Sequence, residues 1–158
     1  MRATLTRSAD QVSAAALIWA ETTAARDGES VVPTLDEARP VIQAVIDSSP
    51  RSFLLMATDP AGTALGFAAV EPTQQPSVAE LRYLGVRPRA WGRGVAQLLL
   101  NELAQQAKPL EFQTLQLSVY ADNLRAVALY ERLGWKPDGD PTPHPRHGRL
   151  EQRYLFTR

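Results

Sequence analysis

The segment ELRYLGVRPRAWGRGVA, residues 80–96, decides how the rest of the chain is interpreted. Its first half predicts a strand that ends at Val86, because Pro88 lacks an amide proton and disfavours continuation of a strand. Gly92 and Gly94 then stand where a helix should begin. The first amides of a helix are unpaired and carry partial positive charge, and glycine lets an anion approach them closely. The segment therefore predicts a strand followed by an anion site that suits a pyrophosphate.

A tight turn that binds nothing is the alternative interpretation of these two glycines, and for a bare Gly-x-Gly it is the commoner one. Two other phosphate loops are excluded. A Walker loop would need a Lys-Ser/Thr pair after Gly94, and none follows. A dinucleotide fingerprint would need glycine or alanine where Gln97 stands.

The flanking sequence predicts a mixed sheet covered by helices. Residues 114–120 alternate apolar and polar side chains, the strand period of two. Thr34 and Glu37 form a capping box, and Asp10 is the expected cap of an earlier helix. The predicted elements are strands at 2–7, 53–57, 64–70, 78–86, 114–120 and 151–156, helices from Asp10, at 34–46, at 92–107 and at 123–133, and loops at 25–33 and 137–145. The order β-α-α-β-β-β-α-β-α-β, with one further short strand near Lys136 left open, predicts an α/β (α+β) fold in a single domain, residues 1–158.

Composition bounds the class of protein. The 158 residues suit one domain, and 17 basic side chains balance 17 acidic ones. A net charge of zero gives no general attraction to nucleic acid or to an anionic membrane, so neither is an expected partner. The absence of cysteine excludes disulfides, thiolate metal sites and a cysteine nucleophile. The apolar stretch at 12–20 is too short to span a bilayer and lacks a signal-peptide cleavage region, so a cytoplasmic location is expected.

A second constellation occupies residues 118–135. Tyr130 follows Asn123 by seven positions, nearly two helical turns, so both are expected on one stripe of a helix with Ala126 between them. A small residue there would let a linear ligand lie along the stripe, and Gly134 is expected to end the helix. A helix cap at Asn123 and a buried aromatic ring at Tyr130 are the structural alternatives for each residue taken alone.

Together the two constellations resemble the GNAT superfamily of acetyl-CoA-dependent N-acyltransferases, over residues 53–135. That family carries Gln/Arg-x-x-Gly-x-Gly/Ala at the first site, a pattern that Arg89 begins in one register and Trp91 in the preferred one. It carries Asn-x-x-Ala-x-x-Leu-Tyr and then Gly-Phe/Trp at the second site, which this chain matches in full. The resemblance implies a mixed, twisted central sheet flanked by helices, with the coenzyme in an opening between the strand that ends at Val86 and the strand 114–120.

The resemblance also implies roles for individual residues. Tyr130 would donate a proton to the departing sulfur. The main chain of Leu84 and Val86 would contact the pantetheine arm and the developing oxyanion, with a bulge permitted at Gly85. The residues expected to bind the coenzyme are Leu84, Val86, Trp91, Gly92, Arg93, Gly94, Val95, Ala96, Asn123, Ala126 and Tyr130.

Glu80 is the candidate general base, because it lies six residues before Val86, where many family members place one. Its ordinary pKa of about 4.3 suits a base only if burial raises that value, and the alternative is an exposed carboxylate paired with Arg82. His144 and His147 lie in the proline-rich loop and are expected to line the acceptor site or to face water. No metal site is expected, because nothing in the sequence fixes the spacing of these histidines and nearby aspartates.

The expected function is transfer of an acetyl group from acetyl-CoA to the amine of a small molecule or peptide. The acceptor would enter near the first helix pair (Glu21, Asp27, Glu29), Glu80 and the loop 137–149. It stays open among small polar amines, antibiotic amines, amino acids and protein N-termini, since neither fold nor cofactor fixes the substrate. Three other functions are considered: transfer of a longer acyl chain, a non-catalytic CoA-binding regulatory module, and an interaction module without affinity for CoA. A homodimer is compatible with the resemblance.

Overall fold

The computed structural model describes residues 1–157, which form a seven-stranded sheet and four α-helices. In chain order the elements are β1 (Arg2–Thr6), α1 (Ala9–Asp27), α2 (Leu35–Asp47), β2 (Phe53–Thr58), β3 (Ala64–Pro72), β4 (Val78–Val86), a 3-10 turn (Pro88–Ala90), α3 (Val95–Ala107), β5 (Thr114–Tyr120), α4 (Leu124–Arg132), β6 (Lys136–Pro143) and β7 (Leu150–Thr157). The predicted mixed α+β class is confirmed. Within these residues no helix is both long and apolar enough to cross a membrane.

The sheet opens between its two parallel strands. The strand order is β1-β2-β3-β4-β5-β7-β6, and every neighbouring pair is antiparallel except β4 with β5. These two strands pair only from Val78 opposite Thr114 to Glu80 opposite Gln116. Beyond those positions they diverge and leave a wedge that widens toward their carboxyl ends. The predicted opening between β4 and β5 is therefore present.

Helices cover both faces of the sheet. Successive residues of a strand point to opposite faces, so Leu54 belongs to one apolar cluster and Leu55 to the other. The helices α1 and α2 bury the first face through Ile18 and Ile42. On the second face α3 and Tyr130 of α4 pack against the sheet. The wedge thus lies between two separately packed layers.

Three connections surround the wide end of the wedge. The strands β4 and β5 are parallel, so Val86 and Tyr120 lie at the same end of the sheet. The antiparallel β7 begins beside Tyr120, which brings residues 144–149 to that end. Near the end of α1, Thr22 donates a hydrogen bond to the carbonyl oxygen of Val86 at 3.0 Å, so the α1–α2 connection lies there too.

Helix boundaries follow local capping chemistry. The predicted capping box at Thr34 is present. The predicted cap at Asp10 is wrong, because the extended residue Ser8 accepts the hydrogen bond and places Asp10 in the first turn. The helix α1 also runs into the predicted loop 25–33, where Gly28 ends it in the left-handed region at φ 68°.

The predicted loop at 137–145 is also wrong, because most of it is the strand β6. Its prolines are tolerated since β6 is the last strand of the sheet and needs amide donors on one side only. The pairing with β7 shifts between Asp138 and Thr142, a bulge that contains Gly139 at φ 72°. The loop that remains is 144–149.

Candidate active site

The edge of β4 presents main-chain groups to the wedge. The amide of Arg87 donates to the carbonyl of Leu65 on β3 at 2.8 Å, so residue 87 faces β3. The direction of the amide and carbonyl alternates along a strand, so those of Leu84 and Val86 point away from β3 and into the wedge. A ligand in extended conformation could therefore pair with β4 where β5 has departed.

The bulge in β4 is not at Gly85, as predicted, but three residues earlier. The register against β3 passes from Tyr83 to Leu81, which leaves Arg82 as the extra residue. Gly85 pairs regularly with Phe67, and a Cβ on Gly85 would lie 2.7 Å from the Cε1 atom of that ring. The glycine is therefore needed for close packing against Phe67.

The carbonyl of Val86 is held from two sides. It accepts hydrogen bonds from the Thr22 hydroxyl at 3.0 Å and from the indole Nε1 of Trp91 at 2.8 Å. Trp91 stands where the resembling family has glutamine or arginine, and the residue is 47% exposed. The indole thereby ties the glycine-rich turn to the end of β4. The sequence offered no sign of Thr22, which lies within a regular helix.

The glycine-rich turn ends in an open helix N-terminus. Gly92 and Gly94 adopt φ of 78° and 81°, a region that other residues rarely enter. A Cβ on either would meet nothing within 4 Å, so backbone conformation rather than space requires glycine here. Gly94 is the N-cap of α3, and with no side chain it cannot cap the first amides. The predicted helix start at Gly92 is corrected to Val95.

The first residues of α3 combine a buried face with exposed amides. The side chain of Val95 is 2% exposed in the core, Ala96 is half-buried, and Arg93 in the preceding turn is exposed. This packing holds the start of α3 against the core, while its first N–H groups point out of the N-terminus of the helix. Partial positive charge is concentrated there. The predicted pyrophosphate residues, 91–96, therefore form one continuous turn at the wide end of the wedge.

Asn123 and Ala126 lie at the start of α4. Asn123 precedes α4 as its N-cap, and its side-chain oxygen accepts the amide of Ala126 at 3.3 Å. The structural alternative for Asn123, a helix cap, is thus correct. Its carboxamide NH2 is a separate donor group that the cap does not use. Ala126 is half-buried against the core layer of α3 and α4.

Tyr130 is enclosed in an aromatic group. Its side chain is 8% exposed, and its ring centroid lies 6.1 Å from that of Trp135 and 6.3 Å from that of Tyr154. Burial raises the pKa of Tyr130 to about 12. The phenol therefore keeps its proton throughout the neutral range, as an acid must before it acts.

Glu80 lies at the closed end of the wedge, on the strand face that α1 and α2 cover elsewhere. Its Oε2 atom is buried and has no hydrogen-bond partner among the described residues. Burial raises the pKa of Glu80, and this outweighs a side-chain hydrogen bond from Gln116 and the charges of Arg153 and Arg82. Arg82 contacts Glu71 at 4.0 Å, not Glu80. The alternative of an exposed, Arg82-paired carboxylate is therefore wrong.

Side chains on the same face extend from Glu80 toward the wide end. Gln116, Ser118 and Tyr120 of β5 share this face by alternation, because Leu115 and Leu117 point into the opposite core. On the α1 side the rings of Trp19 and Tyr83 meet edge to face, with centroids 6.4 Å apart. The polar alternation of β5 was visible in the sequence, but only the fold shows that it continues the face of Glu80.

The loop 144–149 closes the far side of this face. The imidazoles of His144 and His147 stack with centroids 3.9 Å apart, and His147 Nε2 lies 3.0 Å from the Tyr120 hydroxyl. The expectation that the histidines line the acceptor side or face water is consistent with this position. Residues 1–157 contain no group of three or more His, Asp or Glu side chains that could hold a metal ion.

Residues 14–135 match the model of the acetyltransferase (GNAT) family, and the chain belongs to that family. The predicted resemblance is confirmed.

Two relatives are similar over part of their length. An uncharacterized N-acetyltransferase of Schizosaccharomyces pombe is 35% identical over 106 residues, which are 65% of this chain and 65% of that protein. A mycothiol acetyltransferase of Arthrobacter sp. is 36% identical over 104 residues, which are 63% of this chain and 32% of that protein. The chain therefore matches just under two thirds of the first relative and about a third of the second.

Solved structures share the fold over nearly the whole chain. A GCN5-related N-acetyltransferase from Kribbella flavida superimposes with a TM-score of 0.73 at 24% identity, covering 99% of this chain and 98% of that one. The ribosomal-protein-S18-alanine N-acetyltransferase of Escherichia coli gives a TM-score of 0.72 at 18% identity, covering 98% and 93%. At these identities the likeness concerns the fold.

Proposed function

We propose that the chain transfers an acetyl group from acetyl-CoA to the amine of a small molecule or peptide. The divergence of β4 and β5 after Glu80 and Gln116 carries the proposal, because it leaves the edge of β4 exposed inside the sheet. The main chain of Leu84 and Val86 faces this gap, and the open start of α3 lies at its end. An arm that pairs like a strand and ends in a diphosphate is complementary to both features.

The residues of the turn would hold the coenzyme. Amides of residues 92–97 would donate to the diphosphate, while Trp91 keeps the turn against Val86. The NH2 group of Asn123 would contact the pantetheine arm where α4 begins, and half-buried Ala126 leaves space beside it. Acetyl-CoA supplies an activated acyl group as its thioester.

Glu80 is the proposed base. An ammonium cannot attack a thioester, so a proton must leave the acceptor nitrogen, directly or through a water molecule. The unpartnered Oε2 atom of Glu80 can accept it, and the raised pKa brings its basicity closer to the neutral range. The amides of Leu84 and Val86 would stabilise the negative charge that develops on the carbonyl oxygen.

Tyr130 is the proposed acid for the sulfur. With a pKa of about 12, transfer of its proton to a fully solvated thiolate would be uphill by roughly 5 kcal/mol. Burial raises the pKa of a thiol in the same way, so the two values approach each other inside the wedge. The proton transfer therefore depends on exclusion of water around Tyr130.

Two measurements test the proposal. Acetyl-CoA titrated into the folded protein should give saturable heat, and an amine panel should release free thiol only when protein, amine and acetyl-CoA are all present. Saturable binding without thiol release from any amine would favour the non-catalytic regulatory module. Lack of binding would refute the proposal. Comparison with propionyl-CoA and succinyl-CoA tests the length of the acyl chain. Homodimeric assembly and a cytoplasmic location stay predictions.

A further inference from the structure

The loop 144–149 is closed by main-chain hydrogen bonds. The amide of His144 donates to the carbonyl of Arg149 at 2.7 Å, and the amide of Gly148 donates to the carbonyl of His144 at 3.0 Å. The two imidazoles lie parallel within 2°. The guanidinium carbon of Arg149 lies 3.8 Å from the centroid of the Tyr120 ring, which anchors the loop to the end of β5. These contacts bring the side chains of His144 and His147 together beside Tyr120.

The hydrogen bonds of the loop determine where its ring protons lie. His144 Nδ1 accepts the amide of Arg146, and His147 Nδ1 accepts the amide of Arg149, each at 3.2 Å. A neutral imidazole that accepts at Nδ1 carries its proton on Nε2. His147 Nε2 therefore donates to the Tyr120 oxygen, and the Tyr120 O–H proton is available to another acceptor. His144 Nε2–H is a second donor of the same cluster.

Charges of both signs surround the cluster. Arg146 and Arg149 flank the histidines, and burial together with the neighbouring His144 and arginines lowers the pKa of His147, so that ring is neutral at pH 7. Arg149 contacts Asp122 at 2.8 Å. The acidic groups that act on this cluster are Asp122, Glu151 and Asp27. Arg146 adds a charge whose side chain makes no ion pair among the described residues.

The opposite end of the same face holds the Glu80 carboxyl, with Arg153 and Arg82 near enough to act on it. Glu80 lies beside Gln116, and Tyr120 is four residues further along β5, which at about 3.3 Å per residue is roughly 13 Å. An acceptor nitrogen at the level of Ser118, two residues from both Gln116 and Tyr120, lies about halfway between them. A group bound by the cluster would then lie roughly 6–8 Å from that nitrogen.

We propose that the Tyr120–His144–His147–Arg146 cluster binds a carboxylate of the acceptor, so that the preferred acceptor is an amine with a carboxylate several bonds away. The inference rests on the proposed acetyl transfer and adds the class of its substrate. Neutral N–H and O–H donors next to an arginine recognise a carboxylate by charge-assisted hydrogen bonds. Glu80 at the other end would deprotonate the amine.

A homologous series of ω-amino acids, each paired with its methyl ester, tests the inference in the intact protein. We expect kcat/KM to be greatest for an intermediate chain of about five methylenes, and to fall about tenfold or more on esterification, since a hydrogen bond to a charged group is lost. Acids and esters of equal activity would overturn the inference while leaving acetyl transfer intact. If no amine in the series or a general panel is acetylated, the proposed function fails and the inference fails with it.

Two variants and an NMR experiment test whether the acid-over-ester preference comes from this cluster. Arg146→Gln should reduce the acid-over-ester preference several-fold by lowering kcat/KM for the acids. Arg2→Gln makes the same charge change on β1 at the opposite edge of the sheet and should leave the preference unchanged. The chain has two histidines, so its imidazole Cε1–H NMR signals report this site directly. Both signals should shift with 6-aminohexanoate and not with its methyl ester, and equal shifts with the two compounds would overturn the assignment.

Discussion

Replacement of Glu80 by glutamine should separate catalysis from stability. The change keeps the shape of the side chain and removes the charge that burial disfavours. Loss of a general base lowers turnover by about 10²–10⁴-fold. Glutamine still places a polar atom where Oε2 lies, so the gain in stability comes from removing the charge that burial disfavours; Glu80 is half-buried and accepts a bond from Gln116, which limits this gain to about 1 kcal/mol. We therefore expect Glu80→Gln to be much less active and about 1 kcal/mol more stable at pH 7, a rise in Tm of roughly 2–4 °C.

The pH dependence of this difference has a definite sign. The pKa of Glu80 is higher in the folded than in the unfolded protein, so the native carboxyl binds its proton more readily. Below the pKa of the unfolded carboxyl, the charge costs no folding stability. This loss of stability grows as pH rises through the pKa of the folded carboxyl. Thermal unfolding should thus show the advantage of the variant increasing from acid to neutral pH. The acidic limb of kcat/KM should be present in the native protein and absent from Glu80→Gln.

Glu71→Gln is the matched control for this experiment. Glu71 lies directly opposite Glu80 on β3 and carries the same charge, but it contacts Arg82. It should retain most of the activity. A stabilised Glu80→Gln protein with native turnover would refute the role as base, and a destabilised one would refute the account of its buried charge.

Three further changes test the coenzyme side. Tyr130→Phe keeps the buried ring and should lower turnover by about 10²-fold or more with nearly unchanged CoA affinity in calorimetry; native turnover would remove Tyr130 from the mechanism. Trp91→Phe removes the hydrogen bond to Val86 and should weaken CoA binding by about three- to tenfold, and unchanged affinity would contradict the tethering of the turn. Gly94→Glu should abolish CoA binding, whereas Gly94→Gln, with equal backbone strain, should only weaken it. Gly62→Gln, at φ 86° in the β2–β3 turn, controls for strain alone, and equal affinity of the two Gly94 variants would refute an anion site.

Much of the fold could be predicted because its signals are local. The strands 78–86 and 114–120 have the predicted bounds, since alternation and Pro88 act within a few residues. Of β6 only a short strand near Lys136 was left open, because its prolines argue against a longer strand unless the sheet ends there. Sheet order depends on pairings between distant segments, which no local pattern encodes.

The candidate site likewise has features that the sequence predicts and features that only the fold shows. The glycines at 92 and 94 and the pair Asn123 and Tyr130 are recognisable by spacing within one element. The contacts of Thr22 with Val86 and of His147 with Tyr120 join elements far apart in the chain. The burial of Glu80 is likewise a product of packing, so its sequence position alone left two interpretations open.

The short pairing between β4 and β5 has a mechanical consequence. Strands β1 to β4 form one block of the sheet, and strands β5 to β7 form the other. Within the sheet, the two blocks are hydrogen-bonded to each other only along the parallel pairing from Val78 to Glu80. A ligand that binds in the gap and contacts both blocks would restrain their motion relative to each other. Amide hydrogen exchange along β5 and the end of β4 should therefore slow when CoA is added, and the two blocks should then unfold as one cooperative unit.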